Sequence, residues 1–430
     1  VALLLRGGRV VDPLAGLDAV CDVLIRDGVI VEVGVGLSMP KGEEIDCAGM
    51  VILPGLVDVH THLREPGRED EETVASGTRA AAAGGFTAVC AMPNTEPIAD
   101  EGVAVRFLLE KAETEGAVRV HVIGALTAKQ EGRALAEIGD MAAEGAVAFS
   151  DDGHGIGDAG TMRLAMDYTK RFGLPVVSHC EDVTLARHGV VNEGAVSTRL
   201  GLPGWPAAAE EVQVSRDIRL AELTGCRLHL AHLSTAGSVA LVREAKARGV
   251  AVTCEVTPHH LFLTEDDITD LYDTNLKMNP PLRTAEDAAA LLDGLLDGTV
   301  DCIATDHAPH AAHEKALEFE LAPFGTTGLE TALSLVTTRV VATGRAGWAE
   351  VAQWMAHGPR AALGLPDVRI EAGAIADLTI IDPAQEWVVA ADGFVSKSRN
   401  SSFIGTSLVG RARDVLIGGY FALRDGKVVV

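Results

Sequence analysis

Cationic side chains are scarce in this chain: 36 lysines and arginines stand against 61 aspartates and glutamates, giving a formal net charge of −25 over 430 residues. That deficit excludes a nucleic-acid binder working by general electrostatics, because phosphates would be repelled. It excludes anionic membrane surfaces for the same reason. An anionic small molecule would need a local cationic pocket working against the global field. Paired cysteines are also missing. The seven cysteines, at 21, 47, 90, 180, 226, 254 and 302, include no CxxC pair, and most sit in apolar runs such as Ala88-Val89-Cys90-Ala91. An odd, dispersed set predicts reduced, buried thiols and a cytoplasmic protein. The opening residues contain no long apolar stretch, so no signal peptide is expected. Every apolar run is broken by a charge or a glycine short of the roughly 18 residues that a membrane span needs. No GxGxxG follows the first strand of the middle region, and no GxxxxGK[ST] occurs, so nucleotide-binding fingerprints are absent.

What is present divides the chain by pattern. Hydrophobic residues make up 47%, ample for a large core. Near the start, Cys21, Val23 and Ile25 would share one strand face, with Asp22 and Arg26 on the other, and Asp27-Gly28 reads as a hairpin turn. The last sixty or so residues read the same way: 378–381 and 415–417 are strand-like, and Asp425-Gly426 turns into the closing 427–430. One small β-domain built from both ends, with a larger domain inserted, accounts for this. The expected divisions are 1–52 and 367–430 for the β-sandwich and 53–366 for the insert.

The insert alternates apolar strands with amphipathic segments. Eight strands are predicted, at 56–62, 86–92, 119–125, 146–152, 175–179, 227–232, 251–256 and 301–306. Segments 238–246 and 286–296 are two of the helical stretches between them. Buried, non-alternating strands with intervening helices imply a parallel sheet covered on both faces. Eight repeats fit an α/β (β/α)₈ TIM-like barrel better than an open doubly wound sheet.

In such a barrel, chemistry belongs at the C-terminal ends of the strands. Five of the eight predicted ends carry a His or Asp, although histidine is only 14 of 430 residues. They are His60-Thr61-His62, Asp151-Asp152, His179, His232 and Asp306-His307. Residues i and i+2 of a strand face the same way, so His60 and His62 aim together into the mouth. Imidazole and carboxylate suit zinc and related divalent metals. Four histidines and Asp306 would hold a metal pair if an anionic ligand bridged it. Strand four ends in no lysine that could be carbamylated; it ends in Asp151-Asp152, of which Asp152 is chosen as the bridge.

The run Asp58-Val59-His60-Thr61-His62-Leu63-Arg64-Glu65-Pro66 resembles the first signature of the dihydroorotases. Ala304-Thr305-Asp306-His307-Ala308-Pro309-His310, followed by Lys315, resembles the second. Similarity continues through 92–95, 178–181, 231–235, 255–260, 277–283, 323–325 and 328–331. The likeness covers essentially the whole chain and is to the long bacterial type within the amidohydrolase superfamily. It implies two Zn²⁺ per subunit: His60, His62 and Asp306 on one, His179 and His232 on the other, with Asp152 bridging. It implies that Arg64, Asn94, Asn279 and His310 hold the substrate, with His62 beside them and backbone from Phe324 and Gly325. Asp306 would be the catalytic base. The implied reaction is reversible cyclisation of N-carbamoyl-L-aspartate to L-dihydroorotate in pyrimidine biosynthesis. The implied assembly is a homodimer or a complex with aspartate transcarbamoylase.

Other readings stay in view. A dihydropyrimidinase, hydantoinase or allantoinase would share the scaffold but typically carries a bridging lysine. A non-catalytic scaffold would have lost ligands that this chain retains. Three departures from the usual run occur: 357–360, Ser401-Ser402 after Asn400, and the glycine-rich loop 153–157. The first two are expected to lie outside the site, and His154 is read as a loop residue rather than a ligand. His259 and His260 are read as structural, and 310–325 as a loop over the mouth.

Overall fold

A computed structural model describes residues 2–429. Nine strands from the two ends form one sheet. Its seam is the antiparallel pairing of Val51–Pro54 with Leu378–Val388, in which Leu378 faces Pro54 and Ile381 faces Val51. Both predicted DG turns are present, with Asp27 and Asp425 in left-handed backbone at φ 49°. Leu5, Val23, Ile25, Ile52, Leu378 and Ile380 form the core of this layer. Asp22, on the opposite face of its strand from Val23 and Ile25, is buried and accepts from the amides of Gly7 and Leu37.

Eight parallel strands make the barrel: Leu56–Thr61, Phe86–Ala91, Arg119–Gly124, Ala148–Ser150, Val176–Ser178, Leu228–Leu230, Val252–Val256 and Cys302–Ile303. All eight predicted segments contain one of them. The ring closes from the last strand to the first through side chains and loop backbone: Asp58 accepts from Thr305 N at 3.1 Å, and His62 N donates to His307 O at 2.9 Å. Val57, Val59, Ile123, Val177 and Ala304 fill the interior beneath the mouth.

The helices obey their local signals. Ala236–Ala247 starts at Thr235, whose side chain accepts from Ser238 N. Ala285–Leu296 starts at a Thr284–Asp287 capping box and buries Leu291, Leu292 and Leu295 against the barrel. No helix among the described residues is long and apolar enough to cross a membrane. All seven cysteines are free and buried.

Several strands end one to three residues earlier than predicted, at the mouth. The reason is backbone: His232 and Asp306 adopt φ of 29° and 48°, which breaks the ladder just where each side chain turns inward. Arg64 is the same case at φ 61°. The strand-face argument therefore stops at His62, and a left-handed turn, not strand alternation, directs Arg64.

Candidate metal centre and substrate cavity

The mouth holds a cavity of about 320 Å³ lined by His62, Arg64, Asn94, Asp152, His179, His232, Asn279, Asp306, His310, Phe324 and Gly325. Every predicted site residue lines it except His60, which lies fully buried with its Nε2 3.3 Å from Asp152 Oδ1.

Asp152 sits at the centre of the imidazoles. Its carboxylate oxygens lie 3.5 Å from His62 Nε2, 3.5 Å from His179 Nδ1 and 3.6 Å from His232 Nε2. Asp306 Oδ1 lies 3.0 Å from His62 Nε2 and 3.4 Å from His60 Nε2. Within this cluster two triads have ligand atoms close enough to share an ion: His60, His62 and Asp306, and His60, Asp152 and His232. His179 joins through Nδ1, 2.9 Å from His232 Nε2. Asp151 turns the other way and accepts from Leu126 N, Thr127 N and the Thr127 hydroxyl.

Burial works against a charged Asp152, but His60, His179 and His232 outweigh it and hold the carboxylate well below its usual range. Burial likewise disfavours a charged His179, yet hydrogen bonds to Asp152 and Glu181 push it up to about 10. His60 is raised too: burial is overcome by Asp152, Glu255 and Asp306. These donors fit a divalent metal. His60 Nε2 and Asp152 Oδ1 are buried, face each other and make no hydrogen bond, an arrangement that a cation between them would satisfy.

Sequence reading gave Glu255 and Glu181 no role and assigned Asn94 only to the substrate, yet all three stand behind the imidazoles. Glu255, from the seventh barrel strand, accepts from His60 Nδ1 at 2.6 Å and from His229 Nε2 at 3.0 Å. Burial alone would raise the Glu255 carboxyl, but His60 and His229 bring it to about 2. Glu181 accepts from His179 Nε2 at 3.1 Å, and Asn94 Oδ1 from His62 Nδ1 at 2.8 Å. Each bond fixes which ring nitrogen faces the cluster. We expect Glu255→Gln to weaken metal retention about 10- to 100-fold, read by dialysis against graded chelator. Unchanged retention would remove Glu255 from this role.

The raised imidazoles give a sign to the pH dependence. Below about pH 10 His179 holds a proton that an entering cation must displace. Apparent metal affinity should therefore rise with pH, about tenfold per unit for each proton released. Calorimetry at pH 6, 7 and 8 in buffers of different ionisation heat reads both quantities; a flat profile with no proton release contradicts it.

The cavity wall is cationic on one side. Arg64 Nε lies 3.1 Å from Glu71 Oε2 and donates to Pro309 O at 3.1 Å. Glu71 also accepts from His310 Nδ1 at 2.8 Å and from Arg68 at 2.9 Å. Asn279 donates to Glu181 at 3.3 Å, while its buried Oδ1 makes no hydrogen bond.

Segment 310–325 does border the mouth, and it is braced. Lys315 Nζ donates to Thr274 O and Pro323 O at 2.8 and 2.9 Å. Lys277 Nζ donates to Glu320 O and Ala322 O at 2.9 and 2.7 Å and lies 4.4 Å from the Phe324 ring centre. His154 is exposed on the glycine-rich loop. His260 is held by Thr257 and Pro280 O.

A parallel eight-stranded barrel with imidazoles and carboxylates converging at its C-terminal mouth, flanked by a sheet from both chain ends, defines a hydrolase of the cyclic-amide amidohydrolase class. The L-hydantoinase of Arthrobacter aurescens superposes with a TM-score of 0.89 at 24% identity, covering 100% of this chain and 97% of its own. A dihydropyrimidinase from Brevibacillus agri gives 0.88 at 22%, covering 100% and 96%. At those identities the likeness is one of fold. In sequence, residues 49–238 match the Dihydro-orotase-like family model. The dihydroorotase of Pelotomaculum thermopropionicum is 52% identical over 423 residues, 98% of this chain and 99% of the relative. That of Geobacter metallireducens is 48% identical over 418 residues, 97% and 98%. The chain belongs to the dihydroorotase family.

Proposed function

We propose that this chain interconverts L-dihydroorotate and N-carbamoyl-L-aspartate, the reaction of pyrimidine biosynthesis, at a zinc pair held by His60, His62, Asp152, His179, His232 and Asp306, with Asp152 as the bridge. The observation that carries this reading is one cavity with both halves of the chemistry. Asp152 and Asp306 converge among the imidazoles, and Arg64 and His310 stand on the wall. When bound, a pair of divalent cations supplies Lewis acidity, lowering the pKa of water and polarising a carbonyl.

The chain's own residues do the rest. The Arg64 guanidinium pairs with the ring carboxylate, turning a globally acidic protein locally attractive to an anion. Glu71 steadies Arg64 and His310 from behind. Asn279 and the backbone of Phe324 and Gly325 border the ring and orient it. Asp306 receives the proton of the attacking water at a carboxylate oxygen and returns it to the ring nitrogen as the amide bond opens. In the biosynthetic direction the same oxygen takes the proton from the carbamoyl nitrogen.

On this reading the chain divides into a barrel over 53–366 and a β-domain from 1–52 and 367–430. It works in the cytoplasm, where free thiols stay reduced. The partners the family allows are a second copy and aspartate transcarbamoylase; light scattering of the chain alone and mixed with that enzyme tells them apart.

The test is ultraviolet loss of dihydroorotate measured beside dihydrouracil, hydantoin and allantoin. Turnover confined to the carboxylated ring supports the assignment. Faster turnover of a ring without a carboxylate would move the chain to another cyclic amidase.

A further inference from the structure

Strands Leu378–Val388 and Ser407–Ile417 pair as a hairpin of the terminal sheet, with Val388 opposite Ser407. The connection between them, 389–406, leaves that sheet and runs to the barrel mouth. It is stitched down on the way: Glu330 accepts from Val395 N and Ser396 N, Glu72 from the Ser396 hydroxyl and Lys397 N, and Ser398 donates to Glu71 O. Phe403 packs with Leu335, Val389 and Leu408. The sequence pattern around Ser401 and Ser402 was expected to lie outside the site, yet this segment reaches the backbone that flanks it.

The side chain of Asn400, 5% exposed, joins the two loops that carry the cavity wall. Its Oδ1 accepts from His310 N at 3.0 Å. Its Nδ2 donates to Ala308 O at 3.0 Å and to Gly325 O at 3.3 Å. Its backbone carbonyl accepts from Thr327 N at 2.9 Å and from the Thr326 hydroxyl at 3.1 Å. One residue thus sets the separation of His310 from Phe324 and Gly325, and His310 Nε2 lies 2.7 Å from Phe324 O across that gap. Asn400 does not itself line the cavity.

We propose that Asn400 is a positioning residue for substrate binding, supplied by the terminal β-domain, which fixes His310 and the Phe324–Gly325 backbone at the spacing the carboxylated ring requires. The inference rests on the proposed function of the cavity. A buried amide satisfying one donor and two acceptors at once has no equivalent among other side chains of its size. Asp keeps the acceptor toward His310 N but sets a carboxylate against two carbonyl oxygens; Ala leaves all three groups unpaired. Because Asn400 touches no reacting atom, its loss should fall on KM more than on kcat.

The experiment is a kinetic double-mutant cycle on the metal-loaded full chain with dihydroorotate, using Asn400→Ala, Asn400→Asp, His310→Ala and the pair N400A/H310A. Metal content and thermal melting are read alongside. Asn400→Ala should raise KM about tenfold, with kcat changed by less than about threefold and metal content at the parental level. The pair should raise KM by much less than the product of the single effects, since Asn400 acts through His310. Asn400→Asp covers failure of the alanine variant to fold and should show the same KM-weighted defect. Parental KM in both Asn400 variants beside an impaired His310→Ala overturns this inference alone. So does a full product in the double variant, or loss of metal from either Asn400 variant. Parental KM in His310→Ala overturns the substrate-site reading itself, and this inference with it.

Discussion

Asp306→Asn is expected to cut kcat for dihydroorotate by about 10³-fold or more, in both directions of the reaction. The carboxylate sits 3.0 Å from His62 Nε2 and 3.4 Å from His60 Nε2, so it faces both the imidazole cluster and the cavity. Its charge is secured by its neighbours: burial opposes ionisation, but His60 and His62 outweigh it and hold Asp306 well below the usual carboxylate range. Left-handed backbone at φ 48° aims the side chain inward, and closure of the barrel through Asp58 and Thr305 fixes the residue before it. Asparagine keeps the shape and one ligand oxygen but cannot accept and return a proton. Near-normal kcat in this variant would refute the acid–base role, whatever happened to the metals.

Arg64→Met should raise KM for dihydroorotate by about 100-fold while metal content stays at the parental level. The guanidinium is almost wholly enclosed, and its Nε lies 3.1 Å from Glu71, so the surrounding structure already holds it in place. A bidentate pair with a carboxylate has two charge-assisted hydrogen bonds to lose, which sets the size of the effect. Glu71 retains Arg68 at 2.9 Å in the variant, which limits the structural disturbance. The comparison with a ring that lacks the carboxylate isolates the interaction: Arg64→Met should leave KM for dihydrouracil nearly unchanged. An unchanged KM for dihydroorotate would remove Arg64 from substrate binding.

The convergence of the imidazoles and carboxylates was legible in the sequence because each stands at the end of an apolar strand run, and a barrel gathers strand ends. His60 and His62 needed only the two-residue period of a strand. The opposition of adjacent side chains admits only one of Asp151 and Asp152 to the cluster without saying which; the structure turns Asp152 inward and spends Asp151 on Thr127 and Leu126 as an ordinary loop brace. What the sequence could not reveal depends on long-range contacts. Glu255 meets His60 across 195 residues, and Glu71 meets His310 across 239. Glu71 lies in an ordinary run of charged residues, and Glu255, a lone charge in an apolar strand, carries nothing local that names His60 as its partner. Lys277 and Lys315 are buried, and burial lowers them to about 8 and about 7. Their partners are loop carbonyls, which no residue pattern encodes. Arg64, two residues beyond His62, reaches the cavity wall through left-handed backbone at φ 61° and not through strand alternation.

The global charge of −25 and an anionic substrate are reconciled at the mouth. Asp152 and Asp306 belong to the acidic excess, yet both converge on a cluster of imidazoles, and Arg64 faces the same cavity. On the proposed reading, the chain's acidity and its local attraction for a carboxylate are parts of one design, in which buried acids would hold the positive charge that the surface lacks.

The most direct measurement is turnover of dihydroorotate as zinc is titrated into chelator-treated protein, with bound metal counted on the same samples. The account predicts no turnover without metal and a rise that breaks at two equivalents per chain. Full turnover in metal-free protein, or two bound equivalents with no action on dihydroorotate, would contradict it.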